Sequence, residues 1–259
     1  MHYQSRLNAI LGFLFLIFLS TAKCFGQENR FIFGKFITNQ DDTLLYRLAE
    51  PDYNPNRKYP LVIFLHGSGE RGNDNISQLK WGVLNFVTDE NISLYPAYIL
   101  APQCPADQDW SDFRSYKGKN IFHNKLPTPP MQLLLDLIPD LIKSKNIDPD
   151  RIYITGLSMG GFGTFDAIAY RPDLFAAAVP VCGGGDPQTV STFKQIPIWI
   201  FHGVEDPAVS FENSWEMASA LIKAGNHPGL TLYPETGHFV WLKAYQDQYM
   251  LQWLFRQHR

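Results

Sequence analysis

The sequence predicts a single α/β domain built on a mostly parallel sheet with helices on both faces. Short apolar runs of strand length alternate with longer segments of helical period, the pattern of successive βα units. Apolar residues fill 45% of the 259 positions and charged ones 18%, which suits one sizeable core. Beyond the first 26 residues no internal repeat, low-complexity tract or linker divides the series.

The elements follow in order. Residues 1–26 read as a secretory signal peptide: Arg6 precedes an uncharged run from Leu7 to Ala22 with an apolar centre from Ile10 to Leu19. At about 1.5 Å per residue that run reaches about 24 Å, short of the roughly 30 Å hydrocarbon core, so no permanent membrane anchor is expected. Cleavage after Ala22 or after Gly26 fits equally. Lys23 immediately before Cys24 fits a lipoprotein signal poorly. The expected location is outside the cell or in the periplasm, and residues 27–259 form the catalytic domain.

Phe31 to Thr38 and Thr43 to Ala49 read as a leading antiparallel pair. Buried-strand candidates follow at Leu61 to Leu65, Tyr98 to Ala101, Arg151 to Thr155, Ala176 to Val181, Ile198 to Phe201 and Leu230 to Tyr233. Helical candidates lie between them at Ser77 to Val87, Met131 to Lys145, Gly160 to Tyr170, Phe211 to Ala224 and Val240 to Phe255. Pro102 to Pro130 is long, Pro- and Gly-punctuated and aromatic, the composition of an active-site loop.

The chemistry sits where strands end. Gly156-Leu157-Ser158-Met159-Gly160 follows an apolar run and precedes a helical pattern, as a nucleophile elbow requires. The glycines let the backbone pack closely while the serine hydroxyl points outward. As a bare pattern the motif is weak; its placement carries the reading. A serine needs a base to take its proton, and the base needs an acid to fix its tautomer. Downstream, Pro197 to Phe201 ends in His202-Gly203-Val204-Glu205-Asp206-Pro207, and Asp206 is preferred over Glu205 for its shorter side chain just before a helix start. Among the later histidines, His238 stands directly after the last strand, whereas His227 precedes it and His258 is in the tail. The reading is therefore Ser158 as nucleophile, His238 as base and Asp206 as acid. An oxyanion needs two prepared N–H donors: Met159, and Ser68 with Gly69 as alternate in His66-Gly67-Ser68-Gly69-Glu70-Arg71-Gly72. His66 reads as a structural hydrogen-bonding residue, and Glu70 and Arg71 as anchors of that loop or solvated charges. Trp110, with Phe113 and Tyr116, is placed at the mouth as a substrate-binding aromatic, for a sugar ring or a phenolic acyl group.

Together, Leu65-His66-Gly67-Ser68-Gly69-Glu70, Gly156-Leu157-Ser158-Met159-Gly160-Gly161, His202-Gly203 with Asp206 and Val209, and Gly237-His238 resemble the dienelactone-hydrolase and phospholipase/carboxylesterase branch of the α/β-hydrolases. The resemblance reaches feruloyl and acetylxylan esterase-like secreted members and runs from about Tyr59 to the C-terminus. It departs from dienelactone hydrolases in having serine where they have cysteine, which argues against that activity. Ala101-Pro102-Gln103-Cys104-Pro105 with Trp110 is similar to esterases in which this loop flanks the cleft. Such a sheet would set Cys104 and Cys182 about three strand spacings of ~4.8 Å apart. That exceeds the Cα separations of about 4.4 to 6.8 Å that a disulfide tolerates, so free thiols are expected.

The implied function is carboxylic ester hydrolysis through an acyl-Ser158 intermediate, on small-molecule or saccharide esters, with carbohydrate and phenolic-acid esters as candidates. The mechanism needs no metal and no organic cofactor. A serine peptidase of prolyl-oligopeptidase type shares this fold and residue order, but fewer than 35 residues separate the signal from the first core strand, too few for its propeller. A non-catalytic binding protein on this scaffold would normally lack one of the three residues. The formal charge of −3 offers no basic surface for nucleic acid.

Overall fold

A computed structural model of the chain describes residues 26–52, 54–112 and 123–259. All but the last residue of the expected signal segment, and the aromatics Phe113 and Tyr116, lie outside them. No helix among the described residues is long and apolar enough to cross a membrane.

Eight strands form one sheet: β1 (Phe31–Ile37), β2 (Thr43–Ala49), β3 (Tyr59–Leu65), β4 (Tyr98–Gln103), β5 (Ile147–Leu157), β6 (Ala177–Val181), β7 (Trp199–Gly203) and β8 (Gly229–Tyr233). Their spatial order is β1-β2-β4-β3-β5-β6-β7-β8. β2 runs antiparallel to both β1 and β4. From β4 through β8 every pairing is parallel. This is the expected α/β-hydrolase sheet, and β3 shows why its strands read as unbroken apolar runs. Leu61, Ile63 and Leu65 enter the core on one face, while Val62 and Phe64 enter the core on the other. A strand covered on both sides has no polar face to alternate with.

Helices α1 (Asp89–Leu94), α2 (Pro129–Ser144), α3 (Met159–Tyr170), α4 (Val190–Phe193), α5 (Glu212–Lys223), α6 (Trp241–Ala244) and α7 (Gln248–Phe255) supply the covers. Leu134, Leu137, Ile138 and Leu141 of α2, Phe165 of α3 and Met217 of α5 fill one core. Val83, Phe86, Trp241, Tyr245 and Leu251 belong to the other. β4 and β6 are separated by β3 and β5, and Cys104 and Cys182, one residue past those strands, are buried free thiols.

Two expected helices are broken. Ser77 to Val87 forms 3-10 turns at Ser77–Leu79 and Val83–Val87, split at Gly82, whose φ of +78° a Cβ would oppose and where that Cβ would strike Tyr245 at 2.6 Å. Val240 to Phe255 is interrupted where the Asp247 carboxylate accepts from the amides of Tyr249 and Met250, capping a new helix rather than continuing the old one.

Candidate active site

Ser158 stands between β5 and α3 at φ 54°, ψ −116°, a region where a side-chain-bearing residue costs on the order of 1–3 kcal/mol. The neighbouring glycines make that turn possible. A Cβ on Gly160 would lie 2.0 Å from the Leu65 carbonyl oxygen, one on Gly156 would lie 2.4 Å from that of Gly160, and one on Gly161 would lie 2.5 Å from that of Val181. The Ser158 amide donates to the Val181 carbonyl at 2.9 Å, and its own carbonyl accepts from Gly161 at 2.8 Å and Phe162 at 3.1 Å. Backbone packed at this distance on three sides holds the strained serine in place.

The other two side chains come from the ends of β7 and β8. Asp206 lies in the turn after β7, its side chain fully buried. One oxygen accepts from the amides of Ala208 and Val209, both at 2.9 Å. The other lies 2.7 Å from His238 Nδ1 and 3.4 Å from Nε2 of buried His202. Burial pushes the Asp206 carboxyl up, but hydrogen bonds from His202, His238, Val209 and Ala208 outweigh it and hold the group below its ordinary value, hence ionised. With the carboxylate ionised, His238 Nδ1 carries the proton. Nε2 is left as an acceptor 2.9 Å from Ser158 Oγ. Gly203 lets the two loops meet, since a Cβ there would lie 2.3 Å from the Thr236 carbonyl and 2.5 Å from that of Gly237. Glu205, the other carboxylate of this turn, is exposed.

The loop after β3 packs against the start of α3. His66 is buried with Nδ1 2.6 Å from the Gly67 carbonyl, while Nε2 accepts from the Cys104 amide at 2.9 Å. That pair of bonds requires the neutral ring, and burial lowers its pKa to about 4. Ser68 is exposed and begins the 3-10 turn Ser68–Glu70. Glu70 is buried, and desolvation pushes its carboxyl up. Arg71 pairs with Asp109 and places Nε 3.3 Å from Met159 Sδ. Of the two charges in this loop, Arg71 anchors it through Asp109.

The structure corrects the placement of Trp110. Its ring is 0% exposed, packs edge-on to His66 at 5.4 Å and backs onto α3, where a Cβ on Gly163 would strike its Cβ at 2.6 Å. A side chain with no exposed surface cannot touch substrate; the gap at Gly163 takes it into the core. Other aromatics lie beside His238. Phe239 is 58% exposed and directly follows His238. Trp241 meets the His238 ring edge-on at 5.2 Å. Adjacency of Phe239 to His238 was the available sequence signal, whereas the helical reading of Ser77 to Val87 hid Trp81. His202 also goes beyond its motif, since it touches the acid.

Cys182 Sγ, an Asp206 oxygen and a His238 nitrogen form the one group among the described residues spaced for a metal, all within 4.8 Å. Burial raises the Cys182 thiol well above its ordinary value, so it stays protonated, a poor ligand. Asp206 and His238 already bond to each other.

A family model described as phospholipase/carboxylesterase matches residues 53–250. The crystal structure of a thermostable esterase superposes with a TM-score of 0.83 at 40% identity, covering 89% of this chain and 64% of that one. A poly(3-hydroxyalkanoate) depolymerase C from Paucimonas lemoignei is 44% identical over 126 residues, 48% of this chain and 28% of the relative. A bifunctional acetylxylan esterase/xylanase from Neocallimastix patriciarum is 29% identical over 153 residues, 59% of this chain and 20% of the relative. The chain thus spans under a third of the length of these two curated relatives. With the family match extending over most of the chain and the sheet order in agreement, the chain belongs to the phospholipase/carboxylesterase family of α/β-hydrolases.

Proposed function

We propose that the protein is a carboxylesterase that works through an acyl-Ser158 intermediate. The observation that carries this is the continuous hydrogen-bonded line from Ser158 Oγ through His238 to Asp206, ending on a serine held in a strained conformation. His238 Nε2 takes the hydroxyl proton as Oγ attacks the ester carbonyl, and Asp206 stabilises the imidazolium that forms. The oxyanion is received by the N–H groups of Met159 and Ser68, brought together by the close packing of α3 on the loop after β3. His238 then gives its proton to the leaving alcohol, and water attacks the acyl-serine with the same base. This chemistry needs neither metal nor organic cofactor.

The substrates we propose are esters of carbohydrates or phenolic acids. Support comes from the named activity of the acetylxylan esterase relative. Residues 1–26 are proposed as a signal peptide, putting the enzyme outside the cell or in the periplasm, where polymeric esters are met. The test is a hydrolysis screen of p-nitrophenyl esters of graded chain length, acetylated and feruloylated sugars, and a Pro-X peptide control, run on wild type and Ser158→Ala. Ester turnover that falls about 10⁴-fold in the variant supports the reading. A variant keeping a tenth of wild-type activity, or a wild type that cleaves only the peptide, overturns it.

A further inference from the structure

Beside the hydrogen-bonded line lies a cluster of three aromatic rings. Phe239, Trp241 and Trp81 pack together, with Phe239 and Trp241 centroids 4.8 Å apart, Trp81 and Phe239 6.0 Å, and Trp81 and Trp241 6.4 Å. One end is fixed to the base, since Trp241 packs on His238. Trp81 packs edge-on to Phe239, at an interplanar angle of 79°. The cluster thus adjoins the base, with more than half of Phe239 open to solvent.

Trp241 Nε1 is buried, and the Lys80 ammonium lies 5.2 Å from the Trp81 ring centroid. The open face of the cluster is the all-carbon ring of Phe239. Chemistry then decides which part of an ester lies on it. When the tetrahedral intermediate collapses, the bond from carbonyl carbon to alcohol oxygen breaks, its electron pair goes to that oxygen, and His238 Nε2 supplies the proton. The alcohol oxygen must sit against His238, on the side where Phe239, next in the chain, is open to solvent.

We infer that Phe239 and Trp81 form a binding ledge for the alcohol side of the substrate, selective for a flat carbon face, an aryl ring or the C–H face of a pyranose. The inference rests on the acyl-Ser158 reading. Benzyl acetate and ethyl acetate give the same acetyl-enzyme, so their kcat/KM ratio isolates the alcohol side during acylation.

The experiment measures kcat/KM for benzyl acetate, an acetylated methyl xyloside, ethyl ferulate and ethyl acetate in wild type, Phe239→Ala, Phe239→Tyr and Trp81→Ala. Saturation-transfer NMR with benzyl alcohol and with methyl xyloside reports binding without turnover. Phe239→Ala is expected to lower the benzyl-to-ethyl or the xyloside-to-ethyl ratio about tenfold, roughly one step of 1.4 kcal/mol. Phe239→Tyr should restore it, and Trp81→Ala should repeat the loss. Whichever ratio falls identifies the ring. Equal losses on ring-bearing and ethyl esters, a fall confined to ethyl ferulate over ethyl acetate, or unchanged saturation transfer in Phe239→Ala would overturn the ledge. Ester turnover that persists in Ser158→Ala would instead overturn the acyl-serine reading, leaving the binding measurement to judge the ledge alone.

Discussion

The aromatics Trp110 and Phe239 both lie in loops at the strand ends near Ser158, yet they have opposite fates. On the Trp110 side the wall is closed: the ring fills the space left by Gly163 and meets His66, and Arg71 and Asp109 pair beside it. On the Phe239 side the rings stop at the surface, with Phe239 open and Trp81 partly so. Ring chemistry is similar on the two sides. What differs is whether a residue without a side chain stands behind the ring, and burial follows that space rather than the aromatic's own character.

The sharpest way to break this picture lies in the two carboxylates of one turn. Asp206 is buried against His238, while Glu205 points to solvent. Asp206→Asn should leave a folded protein with kcat lower by about 10⁴-fold, because the amide cannot hold the required tautomer. Glu205→Gln should stay within a few fold. Steady-state kinetics on both variants checks this, and a reversed pattern would place the acid at Glu205.

The closed wall is tested by stability. Trp110→Ala empties a fully buried site and should lower unfolding free energy by about 3–5 kcal/mol, read by denaturant titration. A cost under about 1 kcal/mol would mean that the ring is not packed as described.

His66 gives a smaller effect with a defined pH window. Its folded pKa is depressed, chiefly by burial, to about 4 from 6.5. Between those values the unfolded chain binds the proton and the folded chain does not, so stability falls as pH drops through the window, by roughly 3 kcal/mol in all. Asp206, also depressed in the fold, adds its loss only below its ordinary 3.8. His66→Gln should flatten the curve of unfolding free energy between pH 6.5 and 4. Parallel curves for variant and wild type would remove His66 as the source.

Much of this was legible in the sequence because it rests on short-range necessity. Buried strands must be apolar on both faces, and a serine turning from strand to helix must have glycines beside it, so β3, β5 and the segment around Ser158 announce themselves. His238 and Asp206 are legible for the same reason, each ending a strand run. Contacts set by distant parts of the chain were not legible. The burial of Trp110 depended on Gly163, more than fifty residues away, and the packing of Trp81 on Phe239 joins two segments far apart in the chain. The contact of His202 with Asp206 depends on a turn that folds the chain back on itself.

An acyl-Ser158 intermediate puts a covalent bond on Ser158 during turnover, and acid-quenched mass spectrometry of enzyme mixing with an ester substrate detects it. A peptide spanning Gly156 to Gly160 that carries the mass of the acyl group on Ser158, appears before product release is complete and is absent in Ser158→Ala is the predicted result. Turnover with that peptide unmodified at every quench time, insensitive to a serine-directed phosphonate and abolished by EDTA, would contradict it.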